Sequence, residues 1–344
     1  VAVSDYANIF ATNNLTLARN GSNIGGVAAD SVLVVNGAAV TLVYVDATKG
    51  WIVTDSGNQS DASELALYIT ATGGTETTSG DCKIHTFTGP GTFCVSCAGN
   101  AAGANKVSYM VVAGGGGSGR YYGGAGGGGG FRESKSPDTS YTASPLDETS
   151  GLSVTATSFP ITVGGGGATV PIPTYAPGTK GSDSVFSTIT STGGGLGGGT
   201  NSGGAVGGPG GSGGGGGGTS GGAGGSGNTP PVSPPQGQDG YTAGGALAGA
   251  GGGATVAGGT NPDGKEGGTG ATTSISGSSL GYSGGGGGGP EAVTSVSPCG
   301  SGGSNASGIP TGDRAGQTNR GGGGGADGAV GGSGIVVIRY KFQN

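Results

Sequence analysis

The chain has 344 residues, of which 92 are glycine and only 9% are charged, with a formal net charge of −6. Glycine at this level marks a collagen-like or low-complexity chain, but there is no strict Gly-X-Y period, which excludes the collagen triple helix. The low charge argues against plain disorder, nothing basic clusters to meet nucleic acid, and no apolar run approaches the ~18 residues of a membrane helix. No basic, apolar leader opens the chain, and Val1 in place of Met is expected of a processed chain or a piece of a longer one.

Residues 1–70 read as a hairpin-built β module. "LTLARNGSNI" holds an Asn-Gly dipeptide at Asn20–Gly21, and "SVLVVNGAAVTLVYVDATKGWIVTD" holds another at Asn36–Gly37. Both are signals for a tight hairpin, the second between Val32/Val34 and Val40/Leu42/Tyr44, with Trp51–Val53 as a further strand. Residues 71–81, small and polar, are expected to be a linker, and residues 82–344 a glycine-rich domain. That domain opens on "CKIHTFTGPGTFCV", expected as a hairpin turning at Gly89–Pro90–Gly91. Its framing strands fall at about 83–95, 106–113 and 334–342, where "KVSYMVV" runs into glycine and "SGIVVIRYKF" runs out of it.

Between these strands, glycine runs recur at 114–117, 126–130, 164–167, 193–199, 203–227, 284–289 and 321–325. Such runs are slack linkers unless the main chain itself packs, because folding glycine costs more backbone entropy than folding any other residue. A polyproline II rod has three residues per turn, a rise of about 3.1 Å and no internal hydrogen bonds. Glycine versions of it can pack side by side and pair N–H with C=O between rods. The predicted fold is therefore mostly β and irregular, with a small N-terminal β module followed by packed polyglycine II helices framed by β-strands and essentially no α-helix.

The motifs that suggest chemistry are weak. "GTNPDGKE" has phosphate-loop spacing, but Glu266 stands where Ser or Thr must hold Mg²⁺. "GGSGG" matches a nucleophile elbow by composition alone, and the sole histidine, His85, is expected to pack within a hairpin. "GGGGADGAV" approximates one calcium nonapeptide, with Ala329 where a large aliphatic residue belongs. Asp147 and Glu148 are adjacent in one loop and do not provide the separation that glycoside hydrolysis needs. Cys94-x-x-Cys97 with Cys82 and Cys299 lacks the second close pair of a zinc site. A disulfide, Cys82–Cys94 or Cys82–Cys97, or buried free thiols are the alternatives. Neither a cofactor nor a metal is predicted.

Tyr121, Tyr122, Tyr141, Tyr175, Tyr241 and Tyr282 fall in or beside the segments between runs. They either bind a partner, as rigid amphipathic tyrosines do in other binding loops, or cover the sides of the glycine lattice. Asp239, Asp313 and Arg314 are further loop-tip candidates.

In "HTFTGPGTFCV", "VSYMVVAGGGGSG", "FPITVGGGG", "GSDSVFSTITSTGGG" and "GGGGADGAVGGSGIVVIRY" the chain resembles the glycine-rich domain of bacteriophage tail-fibre proteins, and in architecture the tip adhesins of T-even-like phages. The resemblance implies a non-enzymatic virion appendage, often a homotrimer. It would join other tail proteins and bind a host cell-surface glycan or outer-membrane protein through loops displayed on the scaffold. A filament-forming or ice-binding glycine-rich extracellular protein is the alternative reading.

Overall fold

The computed structural model describes residues 1–58, 66–101, 103–171, 175–200, 205–218, 221–245, 247–260, 265–289, 301–304 and 314–343. The chain divides into two compact units, Val1–Leu65 and Ala66–Asn344. Among the described residues there is no α-helix. The fold is mostly β and irregular, as glycine and β-branched residues dictate.

In the first unit β1 (Ala2–Ser4), β4 (Ala38–Asp46) and β5 (Gly50–Asn58) form a sheet in the order β1-β4-β5. β2 (Leu15–Leu17) and β3 (Ser31–Leu33) form a separate antiparallel pair. Both Asn-Gly dipeptides turn the chain, but neither joins adjacent paired runs as expected. At Asn20–Gly21, φ is 45° and 86° and Ser22 N–H donates to the Arg19 carbonyl at 2.9 Å, yet the strand that returns to β2 is β3. At Asn36–Gly37 the chain passes from one sheet to another, and β4 pairs with β5 instead. Asp5 fixes that crossing, since its Oδ2 accepts from the Phe10 and Gly37 amides at 2.8 and 3.1 Å.

The second unit is a β-sandwich continued by a glycine lattice. One sheet runs β11 (Phe131–Ser134), β10 (Lys106–Val112), β18 (Ile335–Lys341), β8 (Cys82–Phe87), β7 (Thr75–Ser79), with β12 (Leu152–Ser153) also paired to β10. The other runs β15 (Ile189–Ser191), β14 (Ser184–Phe186), β13 (Ser158–Thr162), β9 (Gly91–Ala98), β6 (Ile69–Thr72). Phe87, Tyr109, Val111, Val336, Ile338 and Tyr340 from the first sheet meet Ile69, Phe93, Val95, Ile161 and Phe186 from the second. Each such side chain contributes roughly 1.5–3 kcal/mol by leaving water. On the other face of the first sheet, Ile84, Met110, Val112, Phe131 and Val337 are covered by the β16 (Ala271–Thr273) and β17 (Leu280–Tyr282) hairpin and Ile275. Burial on both faces explains why β10 and β18 read as unbroken apolar runs.

Residues 71–81 are not a linker: Ile69 and Ala71 point into the core from β6, and β7 pairs along β8 from Thr75↔Thr86 to Ser79↔Cys82. Residues 82–95 are not a hairpin either. Gly89–Gly91 carries the chain over from one sheet to the other, where β8 pairs with β7 and β18, and β9 with β6 and β13. Cys82 and Cys94 therefore lie in different sheets, and no Cys82–Cys94 or Cys82–Cys97 bridge forms: all three thiols are free. Cys299 lies outside the described residues.

Beyond the strand ends the main chain becomes the packing material. Along residues 124–130, the amides of 124, 127 and 130 donate to Gly198, Gly195 and Thr192. Those of 125 and 128 donate to Gly249 and Gly252, and those of 126 and 129 to Gly324 and Gly321, all at 2.7–3.0 Å. Each rod thus addresses three neighbours in rotation, with the three-residue period of a polyproline II helix and no bond inside itself. Residues 114–119 and 212–218 repeat the pattern. The partners' numbering shows that parallel and antiparallel neighbours coexist: 249 and 252 ascend with 125 and 128, whereas 324 and 321 descend. Glycine is required because a Cβ on Gly126 would overlap the Gly116 carbonyl, and one on Gly214 the Leu196 carbonyl. Where three alanines do enter, at Ala125, Ala248 and Ala326, their methyl groups pack together as a small buried cluster.

Candidate functional site

The rods position a set of turns at the end of the lattice remote from the sandwich. From β10 the chain runs out along 114–119, turns at Arg120–Tyr122 and returns along 123–130 to β11. Six residues at about 3.1 Å each place that turn roughly 19 Å beyond the strand end. The run leaving β13 returns as residues 178–182 into β14, with Tyr175 in its outer loop, and the run after β15 reaches Thr200. The run from Gly321 turns at Ala326–Gly328 before leading back to β18.

Hydrogen bonds tie these turns together. Gly218 N–H donates to the Tyr122 carbonyl at 2.9 Å, Thr200 N–H to Tyr175 at 3.1 Å, and Gly328 N–H to Gly119 at 2.9 Å. Ser118, fully buried, accepts from the Gly328 and Ala329 amides at 2.9 and 2.7 Å through its hydroxyl. Arg120 Nε donates to the Val170 carbonyl at 3.0 Å.

Tyr121 and Tyr122 are consecutive non-glycine residues in the left-handed region, at φ 51° and 65°. Strain of this kind costs on the order of 1–3 kcal/mol per residue and persists only where the surroundings impose it. Here Asp327 supplies the constraint. Its Oδ1 accepts from the Tyr121 amide at 2.8 Å, while its Oδ2 lies 3.8 Å from Nη1 of Arg314, a buried arginine. The Tyr121 ring lies 4.9 Å from that of Tyr175, tilted by 34°. Tyr121, Tyr122 and Tyr175 remain 38%, 49% and 50% exposed, so the cluster offers solvent a rigid aromatic surface beside an ion pair.

The other candidates lie elsewhere. Tyr282 is buried and Tyr141 partly so, both packed on the first sheet, where Lys135 and Arg339 lie 5.3 and 5.5 Å from the centre of the Tyr141 ring. Burial holds both phenols above their usual range. Tyr241 is exposed, and it lies within a rod, its amide donating to Ala250. Asp239 Oδ1 accepts from the Gly227 amide at 2.8 Å. Asp313 lies outside the described residues. Asp327, the organiser of the cluster, is in the "GADG" segment that resembles a calcium repeat, and only its partners show its role.

The remaining polar groups have structural work. Asp147 Oδ1 accepts from the Lys135 and Thr149 amides, and Glu148 binds Arg132 at 2.6 Å and the Tyr109 hydroxyl at 3.1 Å. His85 is fully buried, its Nδ1 on the Gly73 carbonyl at 2.7 Å and its Nε2 on the Tyr340 hydroxyl at 3.1 Å. Among the described residues no three His, Cys, Asp or Glu side chains gather as metal ligands, and no helix is long and apolar enough to cross a membrane.

A family model described as a glycine-rich domain matches residues 88–341. No curated protein matches the chain.

Proposed function

We propose, from the premise that this chain belongs to the glycine-rich domain family over most of its length, that it is a non-catalytic adhesin segment of a bacteriophage tail fibre. In this reading the glycine lattice is a stiff scaffold, and its outer turns bind a host cell-surface glycan or outer-membrane protein. One observation carries the proposal: Tyr175, from a separate stretch of chain, meets the Tyr121 ring beside Tyr122 at the loop end, and all three tyrosines are exposed. Exposed tyrosines on a rigid support give large contact area at little entropic cost.

The first unit would join the fibre and associate with its own copies, as a homotrimer, within the virion. Supporting this, Leu42 is its only buried apolar residue among those described, while Val32, Val34, Val43, Tyr44, Val45 and Val53 are exposed. So small a core cannot stabilise a lone module of this length.

The test is decoration of susceptible cells by labelled protein. Tyr175→Ala, which leaves the main-chain bond to Thr200 intact, should weaken binding at least tenfold, and Tyr122→Gly should do the same while relieving the left-handed strain. Undiminished binding by both folded variants rules out this surface. Absence of binding by the intact protein, with filaments visible instead, rules out the adhesin.

A further inference from the structure

The outer face of the five-stranded sheet holds a pair of thiols that the sequence spacing alone would separate. Residues three apart on a regular strand point to opposite faces. In β9, however, Cys94 pairs with Thr72 and Cys97 with Thr70, while Val95 pairs with Ala71. The register shift between Thr70 and Ala71 makes Ser96 the extra residue of a β-bulge. Partners in a ladder share a face, and Thr70 and Thr72 are both exposed, whereas Ala71 and Val95 enter the core. Cys94 and Cys97 therefore both face outward. They occupy the spacing of two ordinary strand steps, about 6.8 Å between Cα atoms, at the upper edge of the span a disulfide bridges. Cys94 is exposed and Cys97 half-buried, and the Ser158 hydroxyl donates to Cys94 Sγ at 3.4 Å. Cys82, by contrast, is fully buried in the other sheet.

We infer that Cys94 and Cys97 form a redox-active dithiol whose substrates are low-molecular-weight disulfides. The exposed Cys94 thiolate attacks one sulfur of the external disulfide, forming a mixed disulfide and expelling one thiolate. Cys97 then attacks Cys94 Sγ, the bond to the external sulfur breaks, and the second thiolate leaves. The two protons lost by the cysteines go to the two leaving thiolates, so one external disulfide is reduced to two thiols as one protein disulfide forms.

The test uses the full chain carrying Cys299→Ser, with oxidised glutathione as the probe. Expected are two fast-reacting thiols and one slow thiol before treatment. After it, both fast thiols should be lost, with a mass lower by two hydrogens, no bound glutathione, and Cys94–Cys97 linked in the peptide map. With Cys97→Ser added, the intermediate should be trapped as a stable glutathione adduct on Cys94. A persistent adduct in the Cys299→Ser protein, unreacted thiols, or a bridge from either cysteine to Cys82 would each overturn the inference. Peptide mapping of the unsubstituted chain under the same treatment gives the same reading if the Cys299 variant does not fold.

Discussion

His85 is enclosed on every side, stacked on Tyr340 at 5.5 Å and edge-on to Phe93 at 5.1 Å. Burial lowers its pKa from 6.5, an effect that outweighs the Gly73 hydrogen bond and the nearby Glu76 carboxylate. A depressed histidine pKa means that the unfolded chain takes up a proton before the folded one. Its contribution to stability is therefore complete above about pH 6.5 and declines as the pH falls toward the folded value. His85→Gln should flatten that part of the curve, so the difference in Tm between wild type and variant should shrink from about pH 7 to pH 5. Glycine can be tested with the same resolution. Gly126→Ala forces a methyl onto the Gly116 carbonyl and should cost about 1–3 kcal/mol in denaturant unfolding, with more if the rod is displaced. A Cβ on Gly165 meets nothing within 4 Å, so Gly165→Ala should be neutral to within about 0.5 kcal/mol.

Strands are docked by a few buried polar contacts as well as by apolar area. Glu133, in the middle of β11 and fully buried, accepts from Thr273 Oγ1 of β16 at 2.6 Å and from the Ser144 amide at 2.9 Å. Thr273→Val leaves that carboxylate short of a donor and should cost about 1–3 kcal/mol. Burial holds the Glu133 pKa above 4.5 despite these hydrogen bonds. Its stabilising effect is therefore present below that pH and is lost as the pH rises through the folded value, opposite in sign to that of His85. Glu133→Gln should remove this slope in a pH series of unfolding midpoints.

How much of this is legible in the sequence varies by element. β10 and β18 can be read because their apolar runs end abruptly in glycine, and the rods because their glycines recur. Pairing cannot be read in the same way. Gly89–Pro90–Gly91 requires a change of direction, yet which sheet each flank joins is decided by Phe87 and Phe93 entering the core from opposite sides. The tyrosine cluster is hidden for a similar reason, since Tyr121 and Tyr175 meet only because rods of matched length end side by side, and Tyr141 and Tyr282 look the same in sequence but pack on a sheet.

At the scale of the whole molecule, the two units meet the need for a core differently. The second encloses two large apolar clusters and a small alanine one and extends them with main chain, and the first leaves most of its apolar side chains in water. The rods also constrain how the protein can change in length. One glycine inserted after Gly215 rotates residues 216–218 by a third of a turn, so each amide faces the wrong neighbour. Three inserted glycines restore every facing and move the outer turn by about 9 Å. The single insertion should lower the thermal midpoint well below that of the triple one, a comparison a melting curve settles. Lineages descending from such a chain would accumulate insertions and deletions in multiples of nine bases inside the rods and of any in-frame size at the tips, a pattern of indels imposed by the hydrogen-bonding screw of the main chain.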